Sequence, residues 1–214
     1  MLTQKHLDHL PIFPLPKVSL FPDTVLPLHV FEPRYRALTR YCLDNEWPLA
    51  VPMLSDEPQP ETSLPLVLPI AGAGTIRQHQ ELPDGRYGIL LQGNARVRIL
   101  SEVATDLPYR IVRAEVVHDT DTRSSQCSED MQTITDCLSL LRVRIPNLVD
   151  ALTSLNGETN PGELTNRLAS ILFRDAQQRQ SILSEASVEK RLRLVRDRVA
   201  ALAARTASAD DPVN

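Results

Sequence analysis

The chain has 214 residues, of which 42% are hydrophobic and 23% charged, with a formal net charge of −4. This length supports one domain or two small ones with a genuine core, and the composition is that of a soluble globular protein. The acidic balance argues against nucleic acid as the main partner, because phosphate binding needs a concentrated basic surface.

Seventeen prolines against seven glycines favour stiff loops and edge strands over flexible linkers. Cys42, Cys127 and Cys137 show no metal-binding spacing and are odd in number, so they read as buried or half-buried thiols in a reducing compartment. The N-terminal MLTQKHLDHL lacks the apolar core of a signal peptide, and no window reaches the roughly 18 apolar residues of a membrane span. The expectation is a cytoplasmic protein without a membrane segment.

Residues 10–15 read as a strand that Pro11 and Pro14 confine to an edge or a partly paired position. Phe21-Pro22-Asp23 is a turn, and residues 25–30 form a second strand. Glu32-Pro33 opens a helix, since proline suits the first helical position. Tyr35, Leu38, Tyr41 and Cys42 give that helix an apolar side, with Arg34, Arg36 and Arg40 off it. Residues 47–54 read as a buried strand and 55–65 as a proline-rich loop.

Residues 74–80 and 87–92 flank Leu82-Pro83-Asp84-Gly85-Arg86, which predicts a hairpin: Pro presets φ and Gly supplies a positive one. Arg96-Val97-Arg98-Ile99 alternates, placing both arginines opposite Val97 and Ile99. Residues 109–117 form a further strand, with Ile111, Arg113 and Glu115 facing one way and Val112, Ala114 and Val116 the other. Several short strands and one early helix predict a small, partly closed barrel.

After residue 119 the apolar residues recur at helical spacing. Ser128 is the expected cap of a helix carrying Met131, Ile134, Leu138 and Leu141, ending before Pro146. Residues 148–155 predict a short helix stopped by Asn156-Gly157. Asn160-Pro161-Gly162-Glu163 starts a helix with Leu164, Leu168, Ile171 and Leu172 on one face. Asp175 with Gln178 opens the next, which shows Ile182 and Leu183. Ser187 caps the last helix, where Val188, Leu192, Val195, Val199 and Leu202 form one stripe. The division is a β-domain over 8–119, a helical subdomain over 120–206 and a disordered tail over 207–214.

These residues carry a recognisable pattern. LPIFPL followed by LFPDTVLPLHVFEPRYRAL resembles the opening of the Lon protease N-terminal domain family, also called the Lon substrate-binding domain, with Asp23 where that family usually has glycine. Asp tolerates a positive φ better than most residues. GAGTIRQHQELPDGRYGILLQGNARVRIL resembles the family's hairpin, and FRDAQQRQSILSEASVEKRLRLVRDRVAAL its closing helices, so the resemblance runs from about Leu10 to Leu202. It implies an α+β fold: a PUA-like β pseudo-barrel with one early helix, followed by a C-terminal α-helical subdomain. It also implies a stand-alone bacterial member without ATPase or peptidase domains. The chain holds no G-x-x-x-x-G-K-[ST] loop, and Gly72 and Gly74 lack a following lysine.

No catalytic constellation emerges. His6 and His9 sit in an expected tail, with no carboxylate or cysteine cluster to complete a metal site. Cys42 has Arg40 nearby but no histidine at helical spacing, and the serines form no G-x-S-x-G elbow. Lys190, Arg191, Arg193, Arg196 and Arg198 are interleaved with Glu185, Glu189 and Asp197, the pattern of a salt-bridged, solvated helix face rather than an RNA platform.

His29, Phe31, Glu32, Arg34 and Tyr35 lie where the second strand meets the first helix. Two readings stand there: a partner-binding cleft, or a structural histidine beside a glutamate favoured at a helix N-terminus. The expected function is a non-enzymatic module, free of cofactors and metals, that binds unfolded polypeptide or a specific protein partner. Strand addition at a free edge is one route. A PUA-like small-molecule or RNA-binding regulator is the alternative, and a cryptic hydrolase a third class.

Overall fold

A hairpin organises the first half of the chain. In the computed structural model, which describes residues 2–57, 64–122, 124–144 and 160–208, β4 (Ile70–Glu81) and β5 (Tyr87–Val103) pair antiparallel around the Pro83-Asp84-Gly85 turn. Gly85 takes the expected positive φ of 77°, and Leu82 N–H donates to Arg86 O at 2.8 Å to close the turn. The predicted strands at 87–92 and 96–99 are one continuous 17-residue strand. A bulge absorbs the irregularity between them, where pairing shifts at Ala73/Gly74.

Four shorter strands complete the sheet: β1 (Leu10–Pro11), β2 (Val25–Val30), β3 (Leu49–Val51) and β6 (Ile111–Val116). The order is β1-β6-β5-β4-β3, with β2 pairing to β5. Only Leu10 and Pro11 of the predicted 10–15 strand form a ladder. Ile12 and Leu15 instead make isolated parallel bridges to Ala50 and Met53, which bring together the first and last strands of that order. The same prolines that predict an edge position limit the ladder here. The 47–54 segment likewise narrows to β3, with bridges at Met53 and Leu54.

Helix α1 (Gln4–Asp8) occupies the segment expected to be a tail. Thr3 caps it in a reciprocal capping box with His6, and Leu7 is buried. Helix α2 (Pro33–Asp44) begins at the predicted proline and buries Tyr35, Leu38, Thr39 and Cys42.

Strand periodicity sorts the buried residues into two clusters. One gathers Leu49, Val51, Ile89, Leu91 and Ile111 with Tyr35, Leu38 and Cys42 of α2. The other takes the alternate positions Ala50, Val112 and Ala114, with Leu10, Val97 and Leu7 of α1. Arg98 is exposed as expected, but Arg96 is 2% exposed beside a fully buried Val97. Both faces of the sheet are covered at that point, so alternation no longer separates inside from outside.

The Phe21-Pro22-Asp23 turn lies against the sheet. Asp23 has φ 63°, a left-handed conformation that aspartate tolerates better than most residues, and its N–H donates to Gly93 O at 3.0 Å. A Cβ on Gly72 would stand 1.8 Å from Leu20 O, and one on Gly93 2.1 Å from Phe21 O. Backbone packs on backbone there, so Gly72 and Gly93 are steric requirements.

The chain folds as two units, Met1–His118 with Asp175–Ser184, and Asp119–Arg174 with Glu185–Asn214. The first includes α5 (Ala176–Ser184), a segment whose periodicity groups it with the other helices. It packs on β4, where the nearly buried Gln180 donates from Nε2 to Ile70 O at 2.7 Å and accepts from Ser19 Oγ at 3.2 Å. Gln178 N–H donates to Asp175 Oδ1, as the predicted start requires.

The second unit contains α3 (Ser125–Arg144), α4 (Pro161–Leu172) and α6 (Val188–Ser208). Ser124 rather than Ser128 caps α3, accepting from Cys127 N–H at 3.1 Å; the helix begins one turn earlier than its apolar stripe. Asn160 caps α4, accepting from Gly162 N–H at 2.8 Å, and Ser187 caps α6, accepting from Lys190 N–H at 3.3 Å. Ile171, placed on one face of α4 with Leu164, Leu168 and Leu172, is 43% exposed. The predicted helix at 148–155 lies outside the described residues, as does the predicted tail apart from Ala207 and Ser208, which end α6.

A groove beside the first long helix as the candidate site

β2 alternates cleanly. Val30 is buried and Leu26 and Leu28 pack inward, while Val25, Pro27 and His29 face out. Pro27 is tolerated because β2 pairs with β5 alone. Glu32 then sits at the N-cap of α2 with extended backbone (φ −66°, ψ 135°) and Pro33 behind it. Its side chain makes no capping hydrogen bond; its carboxylate meets Arg34 at 2.7 Å.

Tyr35, one residue further, is buried against Phe13 with ring centroids 4.1 Å apart, and the Arg34 guanidinium lies 4.7 Å above its ring. Burial raises the Tyr35 phenol above its usual range.

Arg34 and Tyr35 form one side of a groove of about 400 Å³. The buried Ile12, Tyr35 and Tyr109 form its floor, and Val103, Leu107, Pro108 and Leu64 are among the residues that complete the lining. Burial, and secondarily Tyr41 and Cys42, push the Tyr109 phenol up to about 12, so both floor tyrosines stay neutral. Leu64 is 61% and Leu107 46% exposed, an apolar rim open to solvent. Arg110 closes one end: it pairs with Glu102, and its Nη1 donates to Pro65 O at 2.8 Å.

His29 lies elsewhere. It lines an open concavity of about 630 Å³ on the outer face of β2, β5 and β4, with Gln78, His79, Gln80, Gly88 and Leu90. Its Nε2 is 3.3 Å from Arg86 Nη1, and Arg86 pairs with Asp84 at 2.6 Å. The Arg86 backbone N–H, and then its guanidinium, hold the Asp84 carboxyl below its usual range. Phe31, 60% exposed, stacks on His29 with centroids 6.2 Å apart. The five residues singled out from the sequence therefore divide: His29 and Phe31 accompany one concavity, Arg34 and Tyr35 the other, and Glu32 is paired with Arg34.

Leu64, Val103, Leu107 and Tyr109 were not singled out. The signal for Leu64 and Leu107 is a large apolar residue in a segment that otherwise reads as loop, whereas Tyr109 opens a predicted strand and, with Val103, joins the core cluster of α2. Among the described residues no group of His, Cys, Asp and Glu could hold a metal, and no helix is long and apolar enough to cross a membrane.

Residues 9–200 match the family profile of the ATP-dependent protease La (LON) substrate-binding domain. The chain belongs to the Lon substrate-binding domain family. It is 31% identical over 191 residues to a Lon protease of Roseiflexus castenholzii, covering 87% of this chain and 23% of that protein. A Lon protease of Azospirillum brasilense is 27% identical, with 86% and 23% covered. The chain thus spans about a quarter of the length of the curated relatives it matches.

Among solved structures it superposes on the Lon N-terminal domain protein of Xanthomonas campestris, with a TM-score of 0.63 and 23% identity over 87% of this chain and 96% of that one. For the N-terminal domain of Mycobacterium avium complex Lon protease the TM-score is 0.68 at 17% identity, over 90% and 98%. These likenesses establish the Lon N-terminal fold.

Proposed function

We propose that the chain is a non-catalytic, cytoplasmic module that captures extended, apolar segments of unfolded polypeptide, or of a protein partner, in the groove floored by Tyr35 and Tyr109. The observation that carries this reading is the half-exposed apolar rim of Leu64 and Leu107 over a floor of neutral aromatics. Such a lining rewards burial of apolar side chains and offers no general acid–base pair. Membership of a substrate-binding family supports it. The β-domain is read as PUA-like, with Arg34 and Tyr35 as groove residues and Glu32 orienting Arg34. His29 and Phe31 form an adjoining outer face.

Fluorescence anisotropy of labelled β-casein tests the proposal. Leu64→Asp combined with Leu107→Asp touches only exposed side chains, and is expected to weaken binding about tenfold or more. Binding by the wild type should change little between low and moderate salt. An unchanged affinity in the double variant, or an RNA complex that collapses with salt, would overturn the reading.

A further inference from the structure

A nearly buried tyrosine on the groove floor carries an unused hydrogen-bonding group. Tyr35 is 8% exposed, its ring stacked on Phe13 and covered by the Arg34 guanidinium. Among the described residues its hydroxyl makes no hydrogen bond, yet the oxygen is not sealed from solvent. Tyr87, 3% exposed, shows the ordinary arrangement: its hydroxyl accepts from Arg40 Nη2 at 3.2 Å. Buried phenols usually find such a partner. The Tyr35 phenol feels the charges of Arg34, Glu32 and Arg110, which places it toward the end of the groove that Arg110 closes.

The charged groups around that hydroxyl are already matched. Arg34 meets Glu32 at 2.7 Å, and Arg110 meets Glu102 while its Nη1 donates to Pro65 O at 2.8 Å. Two cations and two carboxylates cancel there, so a charged ligand would have to break an existing pair. Burial keeps the phenol protonated, and a protonated phenol donates to a neutral acceptor without such an exchange. In a polypeptide the neutral acceptor present at every residue is the main-chain carbonyl, which is open to a new donor where the segment is not already paired in a helix or sheet.

Resting on polypeptide capture in this groove, we propose that the Tyr35 hydroxyl donates to a main-chain carbonyl of the bound segment and sets its position. The ligand class is an extended, uncharged segment. Its apolar side chains bury against Leu64 and Leu107, and its backbone is held at Tyr35. Main-chain bonding of this kind tolerates varied sequences, since the carbonyl is common to all of them.

Anisotropy of a short labelled peptide of Leu, Val and Ser, bound by the whole chain, tests this contact. Tyr35→Phe keeps the ring and its stack on Phe13, so thermal unfolding should stay as in the wild type. Its affinity for the peptide is expected to fall about two- to tenfold. Replacing successive peptide amides by esters weakens one carbonyl acceptor at a time. At one position the ester should weaken binding by the wild type and leave Tyr35→Phe unaffected.

Leu64→Asp combined with Leu107→Asp, measured on the same peptide, separates the two levels. If that variant binds like the wild type, capture in the groove fails and the carbonyl contact with it. If it binds weakly while Tyr35→Phe binds like the wild type, or if no ester position depends on Tyr35, the carbonyl contact alone is overturned. Tighter binding of the peptide with aspartate in place of a serine would overturn it as well, because a carboxylate would then be the preferred ligand.

Discussion

Charge is handled differently in the two units. On the sheet, Arg98 and Glu115 pair across β5 and β6 at 2.9 Å with about half of each side chain exposed (52% and 49%). In the helical unit Arg191 is 0% exposed, its Nη2 2.8 Å from Asp119 and its Nη1 donating to Asn166 Oδ1 at 2.9 Å. Asp130, 1% exposed, accepts from Arg196 and Gln126. A half-exposed strand places alternate residues in water, so its ions stay solvated. α6 packs on both α3 and α4, so its buried surface is wider than one stripe, and a cation beside that stripe is drawn inside. The stability of the first unit should therefore depend on steric fit, and that of the second on buried ion pairs.

Trp47, the chain's single tryptophan, reports on the first unit, while ellipticity at 222 nm is weighted toward the long helices of the second. The largest expected effect is that of Arg191→Met. It removes the buried guanidinium that Asp119 and Asn166 meet and should cost about 3–5 kcal/mol, seen in urea as an earlier ellipticity transition. If the Trp47 transition moves equally, the units unfold as one and the contrast fails.

Gly93→Ala tests the steric side. Its Cβ would meet the Phe21 carbonyl, and the expected loss is roughly 1–3 kcal/mol or more, read first in Trp47 fluorescence. A variant as stable as the wild type would show that the turn yields rather than fits.

Alkaline pH sharpens the contrast further. Burial pushes the Cys42 thiol from 9.0 up to about 12, so the folded state retains a proton that the unfolded state releases. Stability of the first unit should be unchanged below pH 9, fall as pH rises above it, and level off once the folded thiol ionises near 12. Cys42→Ala should reduce the slope; a slope that stays the same would assign it to other groups, Tyr109 among them. The smallest effect is expected for Arg98→Ala, about 0–1 kcal/mol, measured in the same urea titration. A loss as large as that of Arg191→Met would erase the distinction between surface and buried pairs.

Much of the local structure was legible because local chemistry decides it. Pro33 at the first position of α2, Asn160 and Ser187 at their caps, and Gly85 in the hairpin turn act within a few residues of themselves. The candidate site was less legible. Arg34 and Tyr35 were picked out, but the groove they border is completed by Leu64 and by residues 102–110, which only folding brings alongside. His29, six residues before Tyr35 in sequence, faces another concavity because the chain turns from strand to helix between them.

The sequence by itself determined where the turns, caps and period changes fall, and through its motifs the family, since these depend on short-range backbone preferences and spacing. Only the tertiary structure decided that α5 packs on β4, that Arg96 and Arg191 lie buried while Ile171 faces solvent, and which side chains share a groove. Burial depends on what covers a surface from the far side, and one strand's or helix's own periodicity carries no information about that.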